Sequence, residues 1–256
     1  MKKKIALAAA AVSLMFAGSA SAADLVARPY AKAPVPFVAP IYNWAGFYVG
    51  INGGGGSSHK CWDLYNAVGV PLPLTIANGC HNATGGTVGG QLGYRWQASN
   101  WVFGLEAQGN WANFRGSNSL LIAPIVTNRS TVDTFGLFTG QIGYSWNNVL
   151  LYVKGGAAVA RDKYEGILTG TGLVGDRATE TRWGGAVGTG LEVGFAPNWS
   201  VGVEYNHMFM GTRDNLFTST QPPVGIITRG ERIQQDIDVV TARINYRFGG
   251  PVVARY

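Results

Sequence analysis

Charged residues are scarce in this chain, and long apolar runs are absent after its first two dozen positions. Asp, Glu, Lys and Arg make up 13% of the 256 residues, about half the share of an ordinary soluble domain. No stretch after residue 22 has the ~20 apolar residues that a transmembrane helix needs. Lys and Arg form no cluster that could follow the phosphates of a nucleic acid. We therefore expect neither a helical membrane protein nor a nucleic-acid partner.

Cysteine is also scarce, since the chain has only Cys61 and Cys80. An even count in an exported chain predicts one disulfide. We expect it to staple a surface loop and to restrict the unfolded chain by roughly 3 kcal/mol. A zinc site needs more ligands nearby, and His59 and His81, which flank the pair, leave a metal only as a remote alternative. The sequence accordingly predicts no metal and no cofactor.

The first 22 residues have the pattern of a secretory signal peptide. Three lysines at 2–4 precede an apolar run at 5–17, which is too short to span a bilayer, and small residues follow at 20–22. We expect Sec-type export and cleavage after Ala22, which removes half of the formal charge of +6. Residues 23–45 contain four prolines and predict an extended leader.

Glycine and aromatic residues are abundant instead: 37 residues are glycine, and 12% are aromatic. From residue 46 onward, apolar and polar positions alternate, as in WVFGLEAQGNW at 101–111. One face of this segment is apolar, with aromatic residues at both ends, and the other is polar or small. Bilayer interfaces place aromatic residues in this way. An exported chain with such segments fits a transmembrane β-barrel.

Segments of this kind recur eight times and predict an all-β fold, an eight-stranded antiparallel up-and-down transmembrane β-barrel over 46–248, with a tail at 249–256. The predicted strands are 46–58, 85–97, 100–115, 130–147, 149–165, 178–196, 199–214 and 231–248. Tight turns at 98–99, 147–148 and 197–198 alternate with long loops at 59–84, 116–129, 166–177 and 215–230. Closure pairs every strand edge, which lipid requires because it offers no partner to a free amide.

A repeated motif supports four hairpins. GQLGYRW at 90–96 and GQIGYSW at 140–146 read almost alike. Equivalent positions follow at intervals of 50, 51 and 51 residues, at Gly93, Gly143, Gly194 and Asn245. Each interval equals one hairpin plus one outer loop, so the motif marks the periplasmic strand ends. We expect its glycine to relieve a crowded interior face.

Six ionisable residues fall on the inward parity of the strands. Three acids and three bases predict a paired network that fills a narrow lumen. The alternative is a gated polar path for small solutes. The six residues are Arg95, Glu106, Lys154, Glu192, Glu204 and Arg243.

Aromatic residues on the lipid-facing parity predict the interfacial girdles of the barrel. They are Trp96, Trp101, Trp111, Tyr144, Trp146, Phe195, Trp199, Tyr246 and Phe248. On the same parity, His207 lies near the outer end of the seventh strand. A lipid hydrolase would need a serine partner for it, and the chain has no G-x-S-x-G elbow. We expect a histidine at the level of the lipid headgroups.

The leader ADLVARPYAKAPVP, the first strand NWAGFYVGINGG, the GYRW and GYSW strand ends and the terminal RINYRFGGPVVARY resemble one family. It is the family of small outer-membrane barrels of alpha-proteobacteria, often called outer-membrane immunogenic proteins and labelled porin-like, which is similar to the OmpA-like eight-stranded barrel. The resemblance covers nearly the whole chain and implies that the protein is located in the bacterial outer membrane. It also implies an assembly signal read by the barrel assembly machinery, with Tyr246 and Phe248 as aromatic-x-aromatic and Phe248 or Tyr256 as the terminal aromatic.

These patterns predict an integral outer-membrane barrel with a structural, surface-exposed role and no catalysis. We expect contacts with outer-membrane lipid and lipopolysaccharide, and ligands outside the cell through the loops. The alternatives are a narrow porin-like channel, a membrane enzyme that depends on His207, and a soluble barrel with an apolar interior. The last is disfavoured because the tall apolar faces carry aromatic residues at both ends.

Overall fold

The computed structural model describes residues 42–120 and 125–249. Eight antiparallel strands close into one barrel in chain order, β1 beside β8, which confirms the predicted fold. The strands are β1 Gly46–Ala67, β2 Val70–Ala98, β3 Trp101–Ser119, β4 Val126–Trp146, β5 Val149–Leu168, β6 Val174–Ala196, β7 Trp199–Ser219 and β8 Ile227–Phe248. Within these ranges, no helix has the length and apolarity that a membrane crossing requires.

The predicted long loops are wrong, because most of their residues continue the strands. The first predicted loop, 59–84, is a paired hairpin that turns at Val68 and Gly69, where φ is 51° and 81°. Two positive φ values in a two-residue connection suit the twist of a hairpin. The other outer connections shrink to 120–125, 169–173 and 220–226. The barrel wall therefore continues far beyond the strand ends that the lipid-facing pattern indicates.

An apolar band surrounds the barrel near its tight turns. On β3 it runs from Trp101 to Trp111, both at least half exposed. Ten residue steps of about 3.4 Å at a tilt of about 40° give a height of about 26 Å, which matches a bilayer core. Just beyond this band the outward positions are polar, such as His59 and Arg115. The strands thus have a membrane segment and an outer segment.

The barrel interior is filled in layers. Near the tight turns, Trp44 packs with Val102, Leu150 and Tyr152. A charged layer and a layer of Asn and Gln side chains follow. Next comes an apolar cluster, and further polar and aromatic groups occupy the outer segment.

Part of the predicted leader belongs to the barrel floor. Within the range 23–45, residues 42–45 are described, and Trp44 is only 1% exposed. The backbone N–H of Trp44 donates to Oε1 of Gln97 at 2.8 Å, and its ring packs under the charged layer. The end of the leader is therefore a plug rather than an extended linker. The predicted signal peptide at 1–22, residues 23–41 of the leader and residues 250–256 of the tail lie outside the described residues.

The glycine of the repeated motif faces inward, as its position predicts. A Cβ at Gly93 would lie 2.5 Å from the hydroxyl oxygen of Tyr48 and 2.5 Å from the carbonyl oxygen of Leu105. Only glycine lets the Tyr48 ring lie flat against the neighbouring strand. This contact places the Tyr48 hydroxyl within reach of the charged layer.

Candidate functional site

The six predicted lumen residues come together in one charged layer inside the membrane segment. At its lower edge, Arg95 on β2 and Glu192 on β6 form a bidentate pair across the barrel, with Nη2 2.8 Å and Nη1 3.1 Å from the two carboxylate oxygens. Both residues are at least 98% buried. Asn245 donates a further hydrogen bond to Glu192 at 2.9 Å. The Arg95 guanidinium also lies 4.4 Å from the ring centre of Tyr48, so an aromatic ring covers its face while both terminal nitrogens bind the carboxylate.

The other four residues form a cyclic cluster one level higher. Lys154 Nζ lies 3.0 Å from Glu106 and 2.6 Å from Glu204. Arg243 pairs with the same two carboxylates from the opposite side. Each carboxylate thus accepts from one lysine and one arginine. Three acids and three bases balance the charge of the whole layer, as buried ions require.

Two tyrosines complete the cluster, although the sequence pattern did not single them out. Tyr48 donates to Glu106 at 2.7 Å, and Tyr152 donates to Glu204 at 2.6 Å. Both hydroxyls are buried. Each tyrosine reaches its acid from another strand because the neighbouring inward position is a glycine. Inward glycines on adjacent strands were the signal that could have found them.

An apolar layer lies directly above the charged and amide layers. Its members come from the seven strands β2 to β8, and all are at most 4% exposed. They are Ala83, Phe114, Val132, Phe135, Leu137, Ala158, Ala160, Ala186, Met208, Met210, Ile237 and Val239. The opposing wall on β1 is glycine: a Cβ at Gly56 would lie 2.8 Å from the Phe114 ring. The layer therefore places close-packed side chains across the path of any hydrated solute.

A second set of polar clusters fills the outer segment, and the sequence pattern does not reveal it because it predicts loops there. Lys60 and Asp162 form a fully buried pair at 2.7 Å. Nearer the tips, Arg229 binds Asp176 at 3.0 Å and Glu231 at 3.1 Å. Burial raises the pKa of Glu231 to about 7 against the opposing effect of Arg229. This acid therefore titrates near neutral pH.

The predicted disulfide is present, but it is not in a loop. Cys61 on β1 lies directly opposite Cys80 on β2 in the ladder of the outer segment. His59 approaches the pair, with Nε2 3.5 Å from the sulfur of Cys61, but these sulfurs are bonded to each other. His81 turns inward, where it bonds Asn118 and Ser130 at 2.8 and 2.7 Å. Burial lowers the pKa of His81 to about 4, so it is neutral at physiological pH.

The predicted girdle residues line both ends of the apolar band. At the end with the tight turns, Trp101 packs on Tyr144 with ring centres 5.5 Å apart, and Trp199 packs on Tyr246 at 5.0 Å. At the same end, the side chains of Trp96, Trp146, Phe195 and Phe248 point outward. Trp111 lies at the other end, with Trp183 and Phe209, which the sequence analysis did not include. Tyr246 and Phe248 end β8, while Tyr256 lies outside the described residues.

His207 lies on the outer surface at the upper end of the band. Its Nδ1 is 2.7 Å from Asp238, which also accepts from the Tyr205 hydroxyl at 2.5 Å. Ser57 lies opposite Asp238 on β1, so the acid separates this serine from the histidine. A Ser–His–Asp relay needs the histidine in the middle. The described part of the chain does not place these three residues in that order.

A closed barrel with a band of bilayer height, aromatic girdles and a filled interior defines a transmembrane β-barrel of the outer-membrane class. The chain belongs to the family described as outer membrane protein beta-barrel domain, which it matches over residues 8–248. It is 30% identical over 231 residues to the 31 kDa outer-membrane immunogenic protein of Brucella melitensis, covering 83% of this chain and 92% of the relative. It is 27% identical over 248 residues to the 25 kDa outer-membrane immunogenic protein of Brucella abortus, covering 96% and 98%. The protein is therefore an outer-membrane protein.

Solved structures offer more distant likenesses. OprG of Pseudomonas aeruginosa matches with a TM-score of 0.47 and 13% identity, covering 83% of this chain and 100% of that one. The outer membrane protease OmpT of Escherichia coli matches with a TM-score of 0.48 and 12% identity, covering 79% and 97%. At these values neither likeness carries an argument about function.

Proposed function

We propose that this outer-membrane barrel is a structural, surface-exposed scaffold without catalytic activity, and that its lumen does not conduct. The observation that carries the proposal is the filled interior. A charge-balanced layer and an apolar layer succeed one another along the same lumen. An ion crossing the apolar layer would have to shed its water among side chains that offer it no hydrogen bond. Rigid walls of this kind suit a scaffold whose surface carries the function.

The charged layer has a structural role in this proposal. Each of its carboxylates is held by at least one base and one further donor. Such a network fixes the relative register of opposite strands because the partners come from different sides of the barrel. A solute pathway would instead need some of these groups to be free to bind the solute.

The same proposal assigns roles to the outer surface. Just beyond Trp111, Arg115 on β3 and Arg161 and Lys163 on β5 point outward. Cations at this level suit the phosphates of lipopolysaccharide. We further propose that the barrel assembly machinery reads Tyr246 and Phe248 at the end of β8, and that ligands outside the cell bind at the tips.

Planar-bilayer conductance of the refolded protein tests the proposal, with heat-modifiable migration as the folding control. We expect no conductance steps from the unchanged protein. Phe114→Ala with Met208→Ala hollows the apolar layer and is expected to raise conductance. Val240→Ala changes a lipid-facing residue at the height of the apolar layer. It is the matched control and should show no conductance. Reproducible steps from the unchanged protein that shift with Arg95→Ala or Glu106→Ala would establish the channel alternative instead.

A further inference from the structure

The four outer tips of the barrel contain no charged residue. Asp, Glu, Lys and Arg are absent from the sequence at 64–82, 116–128, 166–175 and 215–228. These ranges span all four outer connections and the strand ends beside them. The first charges below them include exposed pairs, Arg129 with Glu165 at 3.8 Å and Arg232 with Asp214 at 2.8 Å. Charge is therefore confined to a belt beneath the tips.

The tips expose aliphatic side chains to the exterior. Large aliphatic residues in these connections and at the adjacent strand ends are 52–79% exposed. They are Val68, Val70, Leu74, Ile125, Leu173 and Val224, which together we call the aliphatic rim. All four connections contribute to it. Six exposed aliphatic groups around one charge-free end of the barrel exceed the scattered single residues of an ordinary surface and mark an interaction surface.

Three backbone hydrogen bonds and one from a side chain join the four tips into one continuous edge. Val68 donates to Thr228 at 2.9 Å, Thr169 donates to Ile125 at 2.8 Å, and Thr220 donates to Gly175 at 2.9 Å. The side chain of Asn118 donates to the Asn78 carbonyl at 3.0 Å and links the first two tips. The aliphatic rim is thus presented as a ring on a rigid wall. From Ser57 to Val68 the wall rises about 28 Å beyond the band, at about 3.3 Å per residue and a tilt of about 40°.

The chemistry of the rim selects one kind of partner. Polyanions and charged proteins need opposite charges, which the tips lack. A shaped protein ligand needs a contiguous patch with a buried centre, whereas the rim is a ring of aliphatic groups that has polar residues between them and no such centre. A fluid apolar phase needs neither charge nor a fixed shape. The belt of paired charges beneath the rim would then lie at the headgroups of that phase.

We propose that the aliphatic rim inserts into the outer leaflet of an apposed lipid bilayer, so that the barrel bridges two membranes. This inference rests on the surface-exposed role proposed above and names the partner of that surface. The rim cannot serve the protein's own membrane, because the wall holds it far above the band. Since no charge takes part, attachment should be independent of anionic lipid and of salt.

Flotation of the full barrel in nanodiscs with phosphatidylcholine vesicles tests the proposal. The unchanged protein should float with the vesicles equally at 50 mM and 1 M salt, and empty nanodiscs should not. Leu74→Ser, Ile125→Ser and Val224→Ser together should weaken binding about 100-fold or more. The matched control Leu74→Ile, Ile125→Leu and Val224→Ile keeps the aliphatic character and should bind like the unchanged protein. Heat-modifiable migration verifies folding of both variants.

A fluorescent probe separates the bilayer from a second copy of the chain as occupant. The described residues contain no free cysteine, so Val224→Cys accepts a single environment-sensitive dye. Its emission should shift to shorter wavelength when vesicles are added and stay constant as protein concentration rises without them. A shift with concentration alone, flotation that needs anionic lipid, or equal binding by the serine and aliphatic variants would each overturn the proposal. Conductance is measured independently, so a silent barrel that does not float refutes this inference and leaves the scaffold proposal standing.

Discussion

At the residue scale, the interior is governed by the cost of isolated charge. Arg243 is 2% exposed and serves both Glu106 and Glu204. Removal of this arginine would leave two carboxylates to share Lys154. A buried ion that loses its partner destabilises a protein by about 3–5 kcal/mol, whereas an apolar replacement of a whole pair is often neutral. The size of the effect therefore depends on whether charge balance is kept.

Arg243→Met should therefore lower the free energy of unfolding by about 3–5 kcal/mol, measured by urea unfolding in lipid vesicles. The double variant Arg243→Met with Glu204→Gln keeps one acid and one base in the cluster and should recover most of that loss. A single variant as stable as the unchanged protein would show that the charge cluster contributes nothing to stability.

Glu231 makes stability depend on pH in the opposite sense to most acids. Its pKa of about 7 in the barrel exceeds the ordinary value of 4.5, so the folded state binds its proton more tightly than the unfolded chain. The stabilising contribution is complete below pH ~4.5 and is lost as pH rises through 7. Glu231→Gln imitates the protonated acid and cannot lose a proton.

We expect Glu231→Gln to match the unchanged protein at pH 4.5 and to exceed its unfolding free energy by about 1–3 kcal/mol at pH 8.5. Urea midpoints across this range measure the difference. The matched control for the loss of one carboxylate is Glu165→Gln, at an exposed acid paired with Arg129. A difference between Glu231→Gln and the unchanged protein that does not change with pH would contradict the assigned titration.

At the element scale, the outer segments of the strands are the main departure from the sequence prediction. Residues 59–84 contain glycine, proline and asparagine and no continuous apolar outward face, so they resemble a loop. Their inward positions nevertheless carry Lys60, Trp62 and Leu64, all buried. Outside the membrane only the inward face of a strand must carry residues that pack in the barrel interior. The outward face can carry polar residues because it meets water. The alternation of large and small residues was the remaining signal of a strand.

The cross-strand disulfide should stabilise this outer hairpin more than the membrane segment. Cys61 and Cys80 are 19 residues apart, and closure of such a loop contributes about 3 kcal/mol in the chain-entropy description. Cys61→Ser with Cys80→Ser should speed protease cleavage between 62 and 79 and leave the heat-modifiable barrel in place. Reduction of the unchanged protein should reproduce the result. Equal cleavage rates would show that strand pairing alone holds the hairpin.

At the scale of the whole molecule, the lipid-facing band determines how the barrel sits in the membrane. Leu105 lies midway between Trp101 and Trp111 and is 59% exposed. Leu105→Arg should lower the free energy of unfolding by about 2–4 kcal/mol, because the charge would lie at the centre of the bilayer. Asn113→Arg, just beyond Trp111, is the matched control and should cost about 0–1 kcal/mol. Similar losses at both positions would place the band elsewhere on the barrel.

The sequence by itself determined the class of fold and much of its placement. Period-two alternation with aromatic ends at 101–111 fixes which face meets lipid, because successive side chains of a strand point to opposite sides. The same alternation places the six ionisable residues on the inward side of the strands, and the spacing of the repeated motif predicts the number of hairpins. These features follow from local geometry, which one sequence contains in full.

Only the tertiary structure decided which of these residues meet. The pairing of Arg95 with Glu192 depends on the stagger of strands across the barrel, and the partners are 97 residues apart in sequence. The apolar layer, the buried Glu231 cluster and the aliphatic rim likewise arise from closure, which brings non-adjacent strands to one level. No local pattern encodes the height of a residue along the barrel axis, because that height is set by the register of all eight strands together.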